Sequence, residues 1–434
     1  MASVQGFDFF ELHFDSRGAL QQRQELQDFT QHIENTGVTD AIFIAHGFRN
    51  DENDASGLYS RFLETFRAHL LEPEFDSLAS RKFAVAGVYW PSKPFSEGAP
   101  VDGSVQGVDD EVSEKAAALA QLRELQDTES DPGKRERLER AIGLLDQVKN
   151  NSDAQDEFVS LVLSLLDGSV SDPAEGLDEI RAKSGSELLD KLKFPIILPT
   201  VESSEDEGGA TSVNPPVVAD EDGGAQGLGS FFGSIFGNIG KFLNLSLWYV
   251  MKERSGTVGE KGVADAVREV HGLKVPPKIH LVGHSLGGRL MAACAKRLAS
   301  DPEVHPDSLT LLEAAFSHYG FSTANGNRPN GFFRTVVDSK VVRGPLIATY
   351  SAKDTVVGHA YAITSRLAGD NIKAIGDAND PFGGIGRNGA QQCDVAVSEA
   401  LHTAGTPYTL PSEKIICLNG SAGLITDHGD VTNT

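Results

Sequence analysis

The stretch GHSLGG, Gly283 to Gly288, sets Ser285 between glycines two residues to either side. A serine so placed can be an acyl-transfer nucleophile if a strand leads into it and a helix leads away, because the chain then turns sharply and projects the hydroxyl. With 45 glycines in 434 residues, a bare G-x-S-x-G arises by chance about a third of the time. Context therefore decides. The preceding IHLV, 279–282, is a short apolar strand pattern, and the following GRLMAACAKRLA puts Leu290, Met291, Cys294 and Leu298 on one helical side. The turn needs tiny residues at Gly283 and Gly287. It would also set the Leu286 N–H at a helix N-terminus, aimed at a developing oxyanion.

A serine nucleophile needs a base and an orienting acid. LIATYSAKDTVVG ends an apolar strand pattern near Ser351 and places Asp354 just beyond it. IICLNGSAGLITDHGD ends another near Leu418 and places His428 in the following loop. In an open α/β sheet, both would project from the carboxyl edge that carries Ser285. Other histidines compete as the base: His359 starts an apolar helix pattern, His402 sits in the polar stretch LHTAGTPY, and His318 follows a strand. Glu313, at the end of LTLLEAAF, competes as the acid, while Asp427 and Asp430 read as shapers of the His428 loop.

In this order, Ser285, Asp354 and His428 resemble the triad of the α/β-hydrolase superfamily. AIFIAHGFRND adds His46-Gly47-Phe48 after an early strand, similar to the histidine-glycine turn that donates the second oxyanion N–H in these hydrolases. The resemblance assigns that role to the backbone of Phe48, ahead of Arg49, and makes His46 and His284 shape and packing residues. VAGVYWPS, Val85 to Ser92, resembles the strand-end WPS of bacterial serine-hydrolase-like proteins. The likeness covers roughly 40–95 and 245–434. It implies an α/β-hydrolase fold, a mainly parallel sheet flanked by helices, and a serine esterase or lipase-like activity without cofactor.

The elements that must position these residues follow from hydropathy. Apolar, β-branched runs predict strands at 41–45, 83–89, 278–283, 309–314, 346–351 and 414–418, alternating with helices at 57–70, 259–271, 287–299 and 360–367. That alternation predicts a mainly parallel α/β sheet. FDFFELHFD, Phe7 to Asp15, alternates and is expected as an antiparallel edge strand. Between the strands at 83–89 and 278–283 lies far more chain than a crossover needs, so 1–95 and 241–434 are expected to form the core and 96–240 an insertion. Residues 110–192 are charged and helical in pattern, the cap. Residues 202–229, with seven acidic and no basic residues, read as a flexible linker. The Phe-rich stretch 230–250 reads as a docked helix or a mobile lid touching an apolar interface.

A net charge of −24 excludes a general nucleic-acid binder, which needs clustered Lys and Arg. No basic, apolar leader opens the chain and no spanning segment appears, so a cytoplasmic protein is expected. Three cysteines, Cys294, Cys393 and Cys417, read as reduced thiols. No His/Asp/Glu spacing along the chain announces a metal. Two classes of function remain: a hydrolase of small-molecule or lipid esters, or a catalytically silent hydrolase-like scaffold acting through the acidic helical insertion.

Overall fold

Short runs of apolar and β-branched residues, each closed by turn residues, assemble into one nine-stranded sheet in the order β1-β2-β4-β3-β5-β6-β7-β9-β8. The computed structural model describes residues 2–92, 110–129, 131–166, 172–193, 234–369, 378–411 and 413–432. Along the chain come β1 (Ala2–Val4), β2 (Phe7–His13), α1 (Arg23–Thr36), β3 (Asp40–Ala45), α2 (Glu52–Leu70) and β4 (Phe83–Tyr89). The intervening region carries α3 (Asp110–Thr128), α4 (Pro132–Leu144), α5 (Ser152–Leu163), α6 (Leu177–Arg181) and α7 (Gly185–Lys191). Then follow α8 (Ile235–Thr257), α9 (Ala264–His271), β5 (Lys278–His284), α10 (Leu286–Leu298), β6 (Ser308–Leu312), α11 (Arg334–Asp338), β7 (Leu346–Tyr350), α12 (Thr355–Ala368), β8 (Ala396–Ala400) and β9 (Ile415–Asn419).

The fold is α/β, as the alternation of patterns predicts. One expectation is corrected. Phe7–His13 is not an antiparallel edge strand: β2 lies inside the sheet and runs parallel to β4, with Asp8 opposite Ala84 and His13 opposite Tyr89. The antiparallel edge is β1, joined to β2 by a tight turn at Gln5 and Gly6, both with positive φ. The alternation in FDFFELHFD arises instead from two covered faces. Phe7 and Phe9 pack with Tyr59 and Leu63 of α2, while Phe10, Leu12 and Phe14 pack with Leu26 and Phe29 of α1.

The same two-sided division runs along β3, where Ala41, Phe43 and Ala45 face one core cluster and Ile42 and Ile44 the other. Each of the buried Phe and Ile side chains contributes about 1.5–3 kcal/mol relative to exposure. β3 pairs with β4 on one side and β5 on the other. The chain passes from β4 across β3 to β5, so the connections depart in opposite directions at the carboxyl ends of β3 and β5, where a crevice opens.

The region expected to be helical at 110–192 carries α3 to α7, and residues 202–229 lie outside the described residues. Within 230–250, residues 230–233 also lie outside them; the rest forms the first part of α8. That helix continues through a π-helical stretch, Val258–Val263, into α9. Phe236, Ile239, Phe242, Leu243, Leu245, Leu247, Trp248, Tyr249 and Met251 are all buried, so apolar contacts surround α8 on every side. No helix among the described residues is long and apolar enough to cross a membrane.

Candidate active site

Ser285 occupies the turn between β5 and α10 with φ 57° and ψ −123°. For a non-glycine residue this backbone region costs about 1–3 kcal/mol and persists only when its surroundings hold it. They do so on both sides. The Ser285 amide donates to Leu312 O at 3.0 Å, and its carbonyl accepts from the amides of Gly288 and Ala315, each at 3.0 Å. The turn is closed tightly enough to require glycine at both flanks: a Cβ on Gly283 would lie 2.2 Å from Gly287 O, and one on Gly287 would lie 2.2 Å from Ala45 O.

Asp354 follows β7 and begins α12, where its Oδ1 accepts from the Val357 amide at 2.9 Å. Its other oxygen, Oδ2, accepts from His428 Nδ1 at 2.8 Å. The loops after β7 and β9 are laced together: Ser351 Oγ donates to Ile425 O at 2.8 Å and the Ala352 amide to Ser421 Oγ at 3.0 Å. Burial alone would lower the His428 pKa. The hydrogen bond and charge of Asp354, with Glu313 and Asp427 behind them, outweigh it and leave the imidazole above its ordinary value.

His284 couples this loop to the turn. Its Nε2 donates to His428 O at 2.8 Å, and the two ring centroids are 4.7 Å apart. Burial pushes His284 down to about 3, so the ring is neutral. His428 thus lies beside the residue that precedes Ser285, although no hydrogen bond joins Ser285 Oγ to His428 among the described residues.

The turn after β3 passes directly over the serine. A Cβ on Gly47 would lie 2.7 Å from Ser285 Cβ. The Phe48 amide has no partner among the described residues, whereas the Arg49 amide donates to Ser92 O at 3.1 Å. Of these two amides, that of Phe48 is the one left free among the described residues. His46 holds the turn: it stacks on Trp90 at 5.6 Å, its amide donates to Tyr59 Oη at 3.0 Å, and its carbonyl accepts from Trp90 Nε1 at 3.0 Å. Burial lowers its pKa to about 4, which suits a packing role.

The rival residues are placed elsewhere. His359 is exposed on α12 and bonds Thr355 O, and His402 lies in an exposed loop against Tyr408. His318 is buried with Nδ1 against Asn388 Nδ2 at 3.1 Å, and burial lowers it to about 3. Glu313 lies close to the site, but its Oε1 accepts from Thr349 Oγ1 at 2.7 Å and Oε2 has no partner among the described residues; burial raises the carboxyl to about 7. Asp427 and Asp430 shape their loop by accepting from the Gly429 amide at 2.6 Å and the Thr426 amide at 2.8 Å.

Three contributors carried no signal in the sequence. Arg387 donates to Asp354 O at 3.0 Å from a glycine-rich segment. Asn244 and Trp248 of α8 hold the turn after β3, the first by accepting from Arg49 Nη2 at 2.9 Å and the second edge-on to Phe48 at 6.0 Å. All are ordinary residue types whose partners lie far off in sequence. Cys294 and Cys417 are buried and Cys393 is partly so, all as free thiols. The chain matches no known protein-family model, no curated protein and no solved structure.

Proposed function

We propose that the protein is a serine hydrolase of carboxylic esters on an α/β-hydrolase frame. The observation that carries the reading is the 2.8 Å His428–Asp354 hydrogen bond beside a serine held at φ 57°. The strand order, with β5 leading into the serine at the sheet's crossover crevice, supports it.

Ser285 Oγ attacks the ester carbonyl carbon while His428 Nε2 takes its proton, and Asp354 fixes the tautomer and stabilises the imidazolium. The amides of Phe48 and Leu286 hold the oxyanion. The tetrahedral intermediate collapses as His428 passes its proton to the departing alkoxide, which leaves as the alcohol. Water, deprotonated by His428, then attacks the acyl-serine; as the bond to Ser285 Oγ breaks, His428 returns that proton to the oxygen and the acid leaves. The Ser285–His428 contact closes as substrate settles, since catalytic hydrogen bonds tighten in the Michaelis complex. Helix α8 is a fixed wall of the site in this reading rather than a moving lid, because its buried residues encircle it.

The test is labelling of the purified chain by a fluorophosphonate, with hydrolysis of short p-nitrophenyl esters measured alongside. Both are expected in the wild type and neither in Ser285→Ala. A chain that neither labels nor hydrolyses overturns the reading in favour of a silent scaffold, and labelling that survives Ser285→Ala moves the nucleophile elsewhere.

A further inference from the structure

A second cluster of chemically capable side chains lies at the same edge of the sheet but apart from the triad. Glu11 and His13 are two residues apart on β2, so both project from one face of the strand. Glu52 joins them from the first turn of α2, and one ligand atom from each of the three lies within 4.8 Å of the others. His13 is held in place before any ligand arrives. Glu25, in the first turn of α1, accepts from His13 Nδ1 and from the His13 amide, both at 2.9 Å. Tyr89 stacks on the ring at 4.9 Å and 18°.

With Nδ1–H given to Glu25, the lone pair of Nε2 is turned toward Glu52 Oε1, 3.1 Å away. Two acceptors at that separation need positive charge between them, either a proton or a metal ion. Three carboxylates surround one imidazole, and no lysine or arginine ion-pairs with any of the three among the described residues. Even with the ring protonated, the cluster keeps two uncompensated negative charges. A carboxylate that orients a histidine through one nitrogen while the other stays open is the usual outer shell of a metal-bound imidazole.

We propose that Glu11, His13 and Glu52 bind a divalent first-row transition-metal ion, with zinc as the fitting case. One imidazole nitrogen and two carboxylate oxygens suit zinc, and water fills the remaining position. Zinc bonds of about 2.0–2.2 Å require the two glutamate side chains to turn inward, and both are exposed. Glu52 is separated from the turn that carries Phe48 by only three residues, Arg49 to Asp51, so the ion would clamp the start of α2 to the end of β2. The inference does not depend on the hydrolase reading.

The experiment is calorimetric titration of the chelator-stripped full chain with zinc chloride, with thermal melting in parallel. The wild type is expected to take up one zinc at this site and to melt a few degrees higher when zinc is in excess. His13→Ala should weaken that uptake at least tenfold and abolish the shift, and Glu25→Gln should weaken it about 10–100-fold. The paired change Glu11→Gln with Glu52→Gln, on exposed side chains, should also abolish the shift; it carries the test if His13→Ala does not fold. A wild type that takes up no zinc, or variants that bind it as tightly as the wild type, would mean an imidazolium salt bridge only and would overturn the proposal.

Discussion

His428 is pulled in two directions, and the balance sets how the site responds to pH. Burial favours the neutral ring, while Asp354 favours the imidazolium and prevails. A base must be neutral to accept the serine proton, so kcat/KM should climb with pH along a limb whose midpoint lies above 6.5, the ordinary imidazole value. The linked stability has the opposite slope: it is present below the unfolded pKa and lost as pH rises through the raised folded one. Asp354→Asn should lower kcat by about 10⁴-fold through the wrong tautomer. It should also lower the His428 pKa, followed by NMR titration, because burial is then opposed only by the more remote charges of Glu313 and Asp427. A wild-type limb at or below 6.5 would contradict this account.

Between elements, the helical region is tied to the core by charge as well as by apolar packing. Lys252 of α8 ion-pairs with Glu175, and both are buried. Tyr361 Oη of α12 donates to the same Glu175 carboxylate at 2.8 Å, and the Ser317 amide does so at 2.9 Å. Burial lowers Lys252 to about 8 in spite of the pull of Glu175. Lys252→Ala would leave a buried carboxylate without its counter-charge and is expected to cost about 3–5 kcal/mol, read as a shift of the urea midpoint. A change under 1 kcal/mol would show that the pair is not what docks residues 172–176. None of this was legible beforehand, since Glu175 and Lys252 are 77 residues apart and carry no pattern. Strand and helix identity was far more legible than strand direction: an alternating run such as Phe7–His13 reads alike whether one face is wet or two different cores are packed. Strand β8 leaves no apolar run in the sequence, because four of its five residues are exposed.

Across the whole molecule, the candidate site was legible because its parts lie in loops at strand ends, where the parallel sheet brings carboxyl termini to one edge. The Glu11, His13 and Glu52 cluster lies at that edge too, but Glu52 is 39 residues from His13 and no ligand spacing joins them. The strained serine has a consequence on another scale. Its φ of 57° is a region glycine adopts without penalty, and its side chain makes no cap hydrogen bond. Ser285→Gly should therefore leave an inactive protein about 1–3 kcal/mol more stable than its parent, visible as a higher melting temperature; an unchanged or lower one would count against backbone strain at this turn. A chain with no use for this hydroxyl would gain heat resistance from glycine here, so the melting comparison measures how much stability the turn gives up to present a hydroxyl.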